Sequence, residues 1–352
     1  MKVFKRHMTA KLINNGEKIK SILFVTLSNL GDIILSTPVL EALSRKYPSA
    51  GIDVICGQAG AEMLKKHHAV REITVSTRKK VLQRIEQLAE LRQKAYDIVV
   101  DLKNPLLPAF TGRRRFRYLL NLACSYFRRT KVGKVLNGRV VGGEHKVNEH
   151  LSKLALCGID ASDPEFFCLV DENDEILAEN ILQNVKGRKM IILNPGAKSH
   201  LKRWSAAKFA ELAKKLKEKI NAAIIVVGAA EDRLIVDEIL SFAKTDLVDM
   251  CGKTSVGELM ALMSKADLVV TNDSAPLHMA SVVNAPTVAV FGPTDERKYG
   301  PVSGRHKVIK PAVLCRPCGK ALCKIKGKDE GCINDVTVAE VFSASLALLG
   351  GI

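Results

Sequence analysis

The sequence lacks any apolar run long enough to cross a membrane. The longest, such as Ala222–Val227, are strand-length, against the roughly 20 residues a spanning helix needs. Aromatic residues are scarce at 5%, with a single tryptophan, Trp204. No helix-turn-helix, RRM or zinc-finger pattern accompanies them, which argues against a nucleic-acid reader. No G-x-G-x-x-G follows the first strand-like run, which counts against a nicotinamide-dependent dehydrogenase. Met1–Lys20 is basic and polar without an apolar h-region, so no export signal is expected. The nine cysteines are accordingly expected as reduced thiols in a cytoplasm. Acidic residues are missing altogether from Leu102–Gly143.

What is present belongs to a globular chain. Of 352 residues, 47% are hydrophobic and 26% charged, enough to bury two cores. Collagen, coiled coil and full-length disorder are excluded. Lys+Arg 54 against Asp+Glu 37 gives a net charge of +17, which predicts acidic partners: nucleic acid, a phosphorylated substrate or an anionic membrane face. The acid-free stretch holds Arg113, Arg114, Arg115, Arg117, Arg128, Arg129, Lys131 and Lys134, interleaved with Phe116, Tyr118, Tyr126 and Phe127. It reads either as a solvated basic surface or as an interfacial, anionic-ligand surface.

Short β-branched runs alternate with amphipathic stretches. Ser21–Leu27, Ile52–Cys56 and Tyr96–Leu102 read as strands, with helices over Ile33–Tyr47 and roughly Val81–Gln93. The grammar restarts at Lys189. Met190–Leu193, Ala222–Val227, Leu268–Thr271 and Thr287–Phe291 read as strands, and Ala206–Lys219 and Val256–Ser264 as helices. The acidic, helical Asp171–Val185 lies between the halves. Two successive α/β units with parallel sheets are expected, and a cleft between them is the default ligand site.

Three loops and a cysteine cluster bear chemistry. Leu27–Asp32 follows the first strand, and Asp32 there is either a helix N-cap or a general base. Asn194–Trp204 follows the first strand of the second half, with Gly196 freeing the loop, Ser199 offering a hydroxyl, Lys202 and Arg203 supplying cations and Trp204 anchoring the end. It is no P-loop, and its basic character suits a diphosphate. Asn272–His278 precedes a small-residue helix, Ala275–Val282, with Asp273 or Ser274 as cap and Pro276 in the first turn. Its N–H groups and dipole would make an anion site, with His278 either a donor or a buried structural residue. Cys315, Cys318, Cys323 and Cys332 read either as a metal knuckle or as reduced thiols or a labile disulfide.

Taken together, residues 22–55, 191–216 and 251–294 resemble glycosyltransferase family 9, the ADP-heptose:lipopolysaccharide heptosyltransferases. The resemblance implies a GT-B fold, two Rossmann-like domains facing across a cleft. Residues 1–180 would hold the acceptor and 181–335 the nucleotide-sugar, with 336–352 a helix packing back on the first domain. It implies inverting, metal-independent transfer of heptose from an ADP-sugar donor to the lipopolysaccharide inner core, with no cofactor. Asp32 would take the acceptor proton. Ser199 and Lys202 would contact the phosphates, Asp273, Ser274, Ala275 and His278 would complete the phosphate site, Glu231 would bind the ribose and Thr254 the adenine. The usual Asp-Thr/Ser-Gly departs here to Asp273-Ser274-Ala275. Arg113, Arg114, Arg115 and Arg117 would meet the anionic glycolipid acceptor or the inner leaflet, which places a peripheral protein at the inner face of the inner membrane. A family relative using another nucleotide-sugar or acceptor is the alternative.

Overall fold

The computed structural model describes residues 19–76, 91, 93–94, 96–103, 145–155, 159–302, 304–320, 322–325 and 331–350. The chain divides into two compact units, 1–167 and 168–352. The division falls ahead of the expected 180/181 boundary, for a packing reason. The acidic helix α5 (Glu172–Asn184), closed by a capping box between Asp171 and Asp174, lies against α8 (Val256–Ser264) of the second unit. The approach is so close that a Cβ on Gly257 would stand 2.3 Å from the Asp174 carboxylate.

In the first unit a parallel sheet runs in the order β3-β2-β1-β4, with β1 Ser21–Val25, β2 Gly51–Cys56, β3 Val70–Val75 and β4 Ile98–Asp101. The helices α1 (Leu30–Ile34), α2 (Thr37–Lys46), α3 (Gln58–Lys65) and α4 (Lys146–Ala155) accompany it. The helix expected over Val81–Gln93 lies almost wholly outside the described residues. The central strands β1 and β2 are buried along nearly their whole length because both faces are covered, and they are apolar apart from Ser21 at the start of β1 and Asp53 within β2. The single run expected over Ile33–Tyr47 is two helices, broken at Leu35–Ser36, where the Ser36 hydroxyl bonds back to the Ile33 carbonyl and to Thr26.

The second unit holds a parallel sheet in the order β10-β9-β8-β5-β6-β7: β5 Met190–Asn194, β6 Ala223–Val226, β7 Val248–Asp249, β8 Leu268–Asn272, β9 Thr287–Val290 and β10 His306–Ile309. Helix α6 (Ala206–Ile220) buries Ala206, Phe209, Ala210, Ala213 and Leu216, an apolar stripe at helical spacing. It ends at Asn221, whose φ of 50° is the left-handed turn that Asn tolerates. Helices α7 (Arg233–Ala243), α8, α9 (Ala275–Val282), α10 (Glu296–Tyr299) and α11 (Val338–Leu348) complete the unit. Val338, Val341, Ala344 and Leu348 of α11 belong to the core of the second unit, with Trp204 and Phe209.

Candidate active site

Each sheet has one point where the strand order reverses. In the first unit it lies between β1 and β4, and in the second between β5 and β8. Backbone ends diverge there and open a crevice at the carboxyl edge, where open α/β sheets bind ligands. Asp32 follows β1. Lys202 follows β5, and Asp273 and Ser274 follow β8.

Asp32 is not the helix cap. It stands third in α1, whose N-cap is Asn29, and its carboxylate accepts from the Asn29 amide at 3.0 Å. The loop that presents it is braced from two sides. Lys103, just past β4, donates to the Ser28 hydroxyl at 2.6 Å, and the Leu27 carbonyl accepts from Gly57 N–H at 3.2 Å. Gly57 has no room for a side chain, since a Cβ would stand 2.3 Å from the Ser28 carbonyl oxygen. Asp32 is thus a half-buried carboxylate held at the crevice. Sequence reading passed over Lys103, which reaches Ser28 across 75 positions.

In the second unit Lys202 pairs with the buried Asp273 at 2.7 Å, joining the two expected phosphate loops. Ser199 is half-buried at the start of a 3-10 turn, His200–Lys202. Arg203 donates its Nε–H to the Ala197 carbonyl at 2.6 Å and so also braces the loop. Trp204 anchors the loop end as expected: it is fully buried, and its indole N–H donates to the Val336 carbonyl at 3.0 Å.

At α9 the expected side-chain cap is not made. Ser274 is the N-cap residue, but its hydroxyl lies with Asn194 Nδ2 at 3.3 Å and the Asn272 carbonyl at 3.5 Å. Asp273 is committed to Lys202. The helix start at Ala275 therefore carries no side-chain cap, and its dipole remains available to an anion. His278 is buried one turn further on.

Glu231 and Thr254 follow β6 and β7 on the same edge. Glu231 is exposed, whereas its neighbour Asp232 reaches inward. The Asp232 carboxylate accepts from Ala229 N–H at 3.0 Å, and a Cβ on Gly196 would stand 2.2 Å from it. Asp232 is therefore the acid seated beside the loop after β5, next in the chain to Glu231. Thr254 is half-buried, next to a turn fixed by Gly252, whose φ of +69° favours glycine. Asp249 steadies that turn. Burial opposes its charge, but the Cys251 N–H and the Arg233 guanidinium at 2.9 Å outweigh that and hold its pKa low.

Arg113, Arg114, Arg115 and Arg117 lie outside the described residues. Cys315, Cys318, Cys323 and Cys332 are free thiols, and among the described residues no group of three or more His, Cys, Asp or Glu side chains is disposed to hold a metal ion. Burial raises the Cys332 pKa; Arg316 pulls against it, and Cys315 and Cys318 add to it.

Two α/β units with parallel sheets, each with polar and charged side chains at its switch point, are the components of a GT-B fold. The model for glycosyltransferase family 9 (heptosyltransferase) matches residues 84–328, more than half of the chain, and the chain belongs to that family. Lipooligosaccharide heptosyltransferase 2 of Campylobacter jejuni is 26% identical over 91% of this chain and 95% of its own length. Lipopolysaccharide heptosyltransferase 2 of Escherichia coli K12 is 27% identical over 82% of this chain and 87% of its own. The solved structure of the E. coli ADP-heptose LPS heptosyltransferase II superposes with a TM-score of 0.68 at 26% identity, covering 94% of this chain and 98% of that one. A family 9 glycosyltransferase from Veillonella parvula shares the fold with a TM-score of 0.73 at 22% identity, over 94% and 97% of the two chains.

Proposed function

We propose that this glycosyltransferase moves a heptose from ADP-heptose to the lipopolysaccharide inner core, with inversion and without a metal. The observation that carries the reading is the pairing of Lys202 with Asp273, two residues ahead of an α9 start that has no side-chain cap, at the β5/β8 switch point. A nucleotide-sugar donor needs fixed positive charge where its diphosphate leaves, and an ammonium beside a helix N-terminus supplies it. The named heptosyltransferase relatives, one of them an ADP-heptose enzyme, support the choice of donor and acceptor.

In the proposed reaction, an acceptor hydroxyl oxygen attacks the heptose anomeric carbon through an oxocarbenium-like state. The bond from that carbon to the diphosphate oxygen breaks, and ADP leaves with the electron pair. Asp32 takes the hydroxyl proton. Lys202 exchanges its Asp273 partner for the diphosphate, while Ser199, Ser274 and the Ala275 N–H of the α9 start complete its shell. Asp232, with or in place of Glu231, accepts from the ribose hydroxyls, and Thr254 meets the adenine. His278 sets the α9 face behind the phosphates. The basic segment with Arg113, Arg114, Arg115 and Arg117 holds the phosphorylated glycolipid or the anionic inner leaflet, which would keep the enzyme peripheral at the cytoplasmic face of the inner membrane.

Incubation with ADP-heptose and a lipid A–Kdo or heptosylated core acceptor tests this directly. Release of ADP with formation of a product of inverted anomeric configuration, seen by NMR and unaffected by EDTA, is expected. Transfer only from a UDP- or GDP-sugar, a retained configuration, or loss of activity in EDTA would overturn the corresponding part.

A further inference from the structure

The loop that carries Ser199 and Lys202 is closed at both ends by one side chain that lies outside it. Asn272, the last residue of β8, is fully buried. Its carboxamide nitrogen donates to the Pro195 carbonyl at 2.7 Å, and its carboxamide oxygen accepts from the Trp204 N–H at 3.2 Å. The partners fix the orientation, because one offers only an acceptor and the other only a donor. A single planar group thus pins residues 195 and 204, and the loop between them rides on it.

Asn272 also precedes Asp273 and Ser274 directly in the chain, so it joins the two halves of the proposed phosphate site. Its neighbours reinforce the tie. Asn194 Nδ2 reaches the Thr271 hydroxyl at 3.1 Å and both the Ser274 hydroxyl and the Gly196 carbonyl at 3.3 Å. Beyond the loop, Ser205 N–H is held by the Asn334 side chain at 3.0 Å. No other side chain of this size meets both demands. Aspartate offers only acceptors, leucine neither, and glutamine is a methylene too long for a packed site.

We propose that Asn272 is the positioning residue of the donor site. It does not touch the donor; it sets the distance between the Lys202 ammonium and the α9 start, so that both bear on one diphosphate. This rests on the nucleotide reading of that site and names the residue on which its geometry depends.

The test is a double-mutant cycle on ADP affinity, measured by calorimetry with Asn272→Ser, Asn272→Asp, Lys202→Ala and the combined variants. Each Asn272 variant is expected to weaken ADP binding roughly tenfold in the native background, about the worth of one buried hydrogen bond. In the Lys202→Ala background the same change should cost less than about threefold, since loop position then has no ammonium to misplace. Losses that multiply independently, or an unchanged affinity in a folded Asn272 variant, would overturn the proposal. Hydrogen exchange at the Trp204 amide reads the same tie without any nucleotide. It should quicken in Asn272→Ser while the β5 amides stay protected, and unchanged exchange at Trp204 would sink the idea. Native protein that fails to bind ADP would instead refute the nucleotide reading, and the Trp204 readout would still decide the positioning role. Asn272→Ser, which adds no buried charge, serves if Asn272→Asp does not fold.

Discussion

Asp53 sits in the middle of β2 with its side chain almost fully buried, and three groups keep it charged. Arg71 donates twice at 2.8 Å and Tyr96 donates its hydroxyl at 2.7 Å, while Lys94 lies 3.7 Å away. Burial alone would raise the carboxyl pKa, but these donors more than reverse it, so it titrates below its ordinary value of 3.8. A depressed carboxylate stabilises the fold fully above its unfolded pKa, and that support is lost as pH falls through the folded value. Asp53→Asn should therefore cost about 1–3 kcal/mol at neutral pH. The difference from the native protein should stay constant from about pH 6 to 8 and shrink below about pH 4. Urea unfolding at stepped pH measures it, and a difference that grew on acidification would be inconsistent with this network. Lys202 is the corresponding residue for the proposed donor binding. Lys202→Ala should weaken ADP roughly 10- to 100-fold, the worth of a charge-assisted contact, and should also lower the melting temperature, because the buried Asp273 loses its ion partner. Calorimetry beside a thermal melt separates the two.

Two glycines carry the predictions at the scale of elements, because each gives room to a loop at one switch point. A methyl on Gly57 would meet the Ser28 backbone, which cannot yield as a side chain can. Gly57→Ala should thus displace the Asp32 loop and lower turnover at least tenfold, with ADP affinity unchanged. A methyl on Gly196 meets the Asp232 carboxylate instead, and Gly196→Ala should weaken ADP binding while the fold survives. Paired kinetics and calorimetry check the contrast; the reverse pattern would mean that the two loops have exchanged roles. The elements also show what a sequence displays. Central strands such as β5 (MIILN) and β8 (LVVTN) are covered on both faces and read as continuous apolar runs. The outer strands β3 (VREITV) and β10 (HKVI) mix charge with apolar residues because one side of each is exposed, and they escaped notice. The site loops were legible where glycine, proline and charge follow a strand. Their bracing was not, because Lys103 to Ser28 and Asn272 to Pro195 span 75 and 77 positions, and no local pattern encodes such pairs. The one-residue choice between Glu231 and Asp232 likewise depends on where a 3-10 turn aims its side chains.

For the whole molecule, the net charge of +17 is unevenly placed, and the acid-free stretch at 102–143 holds much of it. Reversing charge there, as in Arg113→Glu with Arg117→Glu, should raise the KM for a glycolipid acceptor far more than that for the donor. The effect on acceptor should fade with added salt, as exposed electrostatics do. Equal losses toward both substrates would exclude an acceptor role. The proposed division of labour between the units is tested most directly by titrating ADP, UDP and GDP into native protein and Asp32→Asn by calorimetry, with transfer from ADP-heptose assayed in parallel. The expected result is binding of ADP in preference to the others, with the same affinity in both proteins, and transfer in the variant reduced by about 100-fold or more, the scale of a general base. A preference for UDP or GDP, or an Asp32→Asn protein that transfers heptose at the native rate, would contradict it.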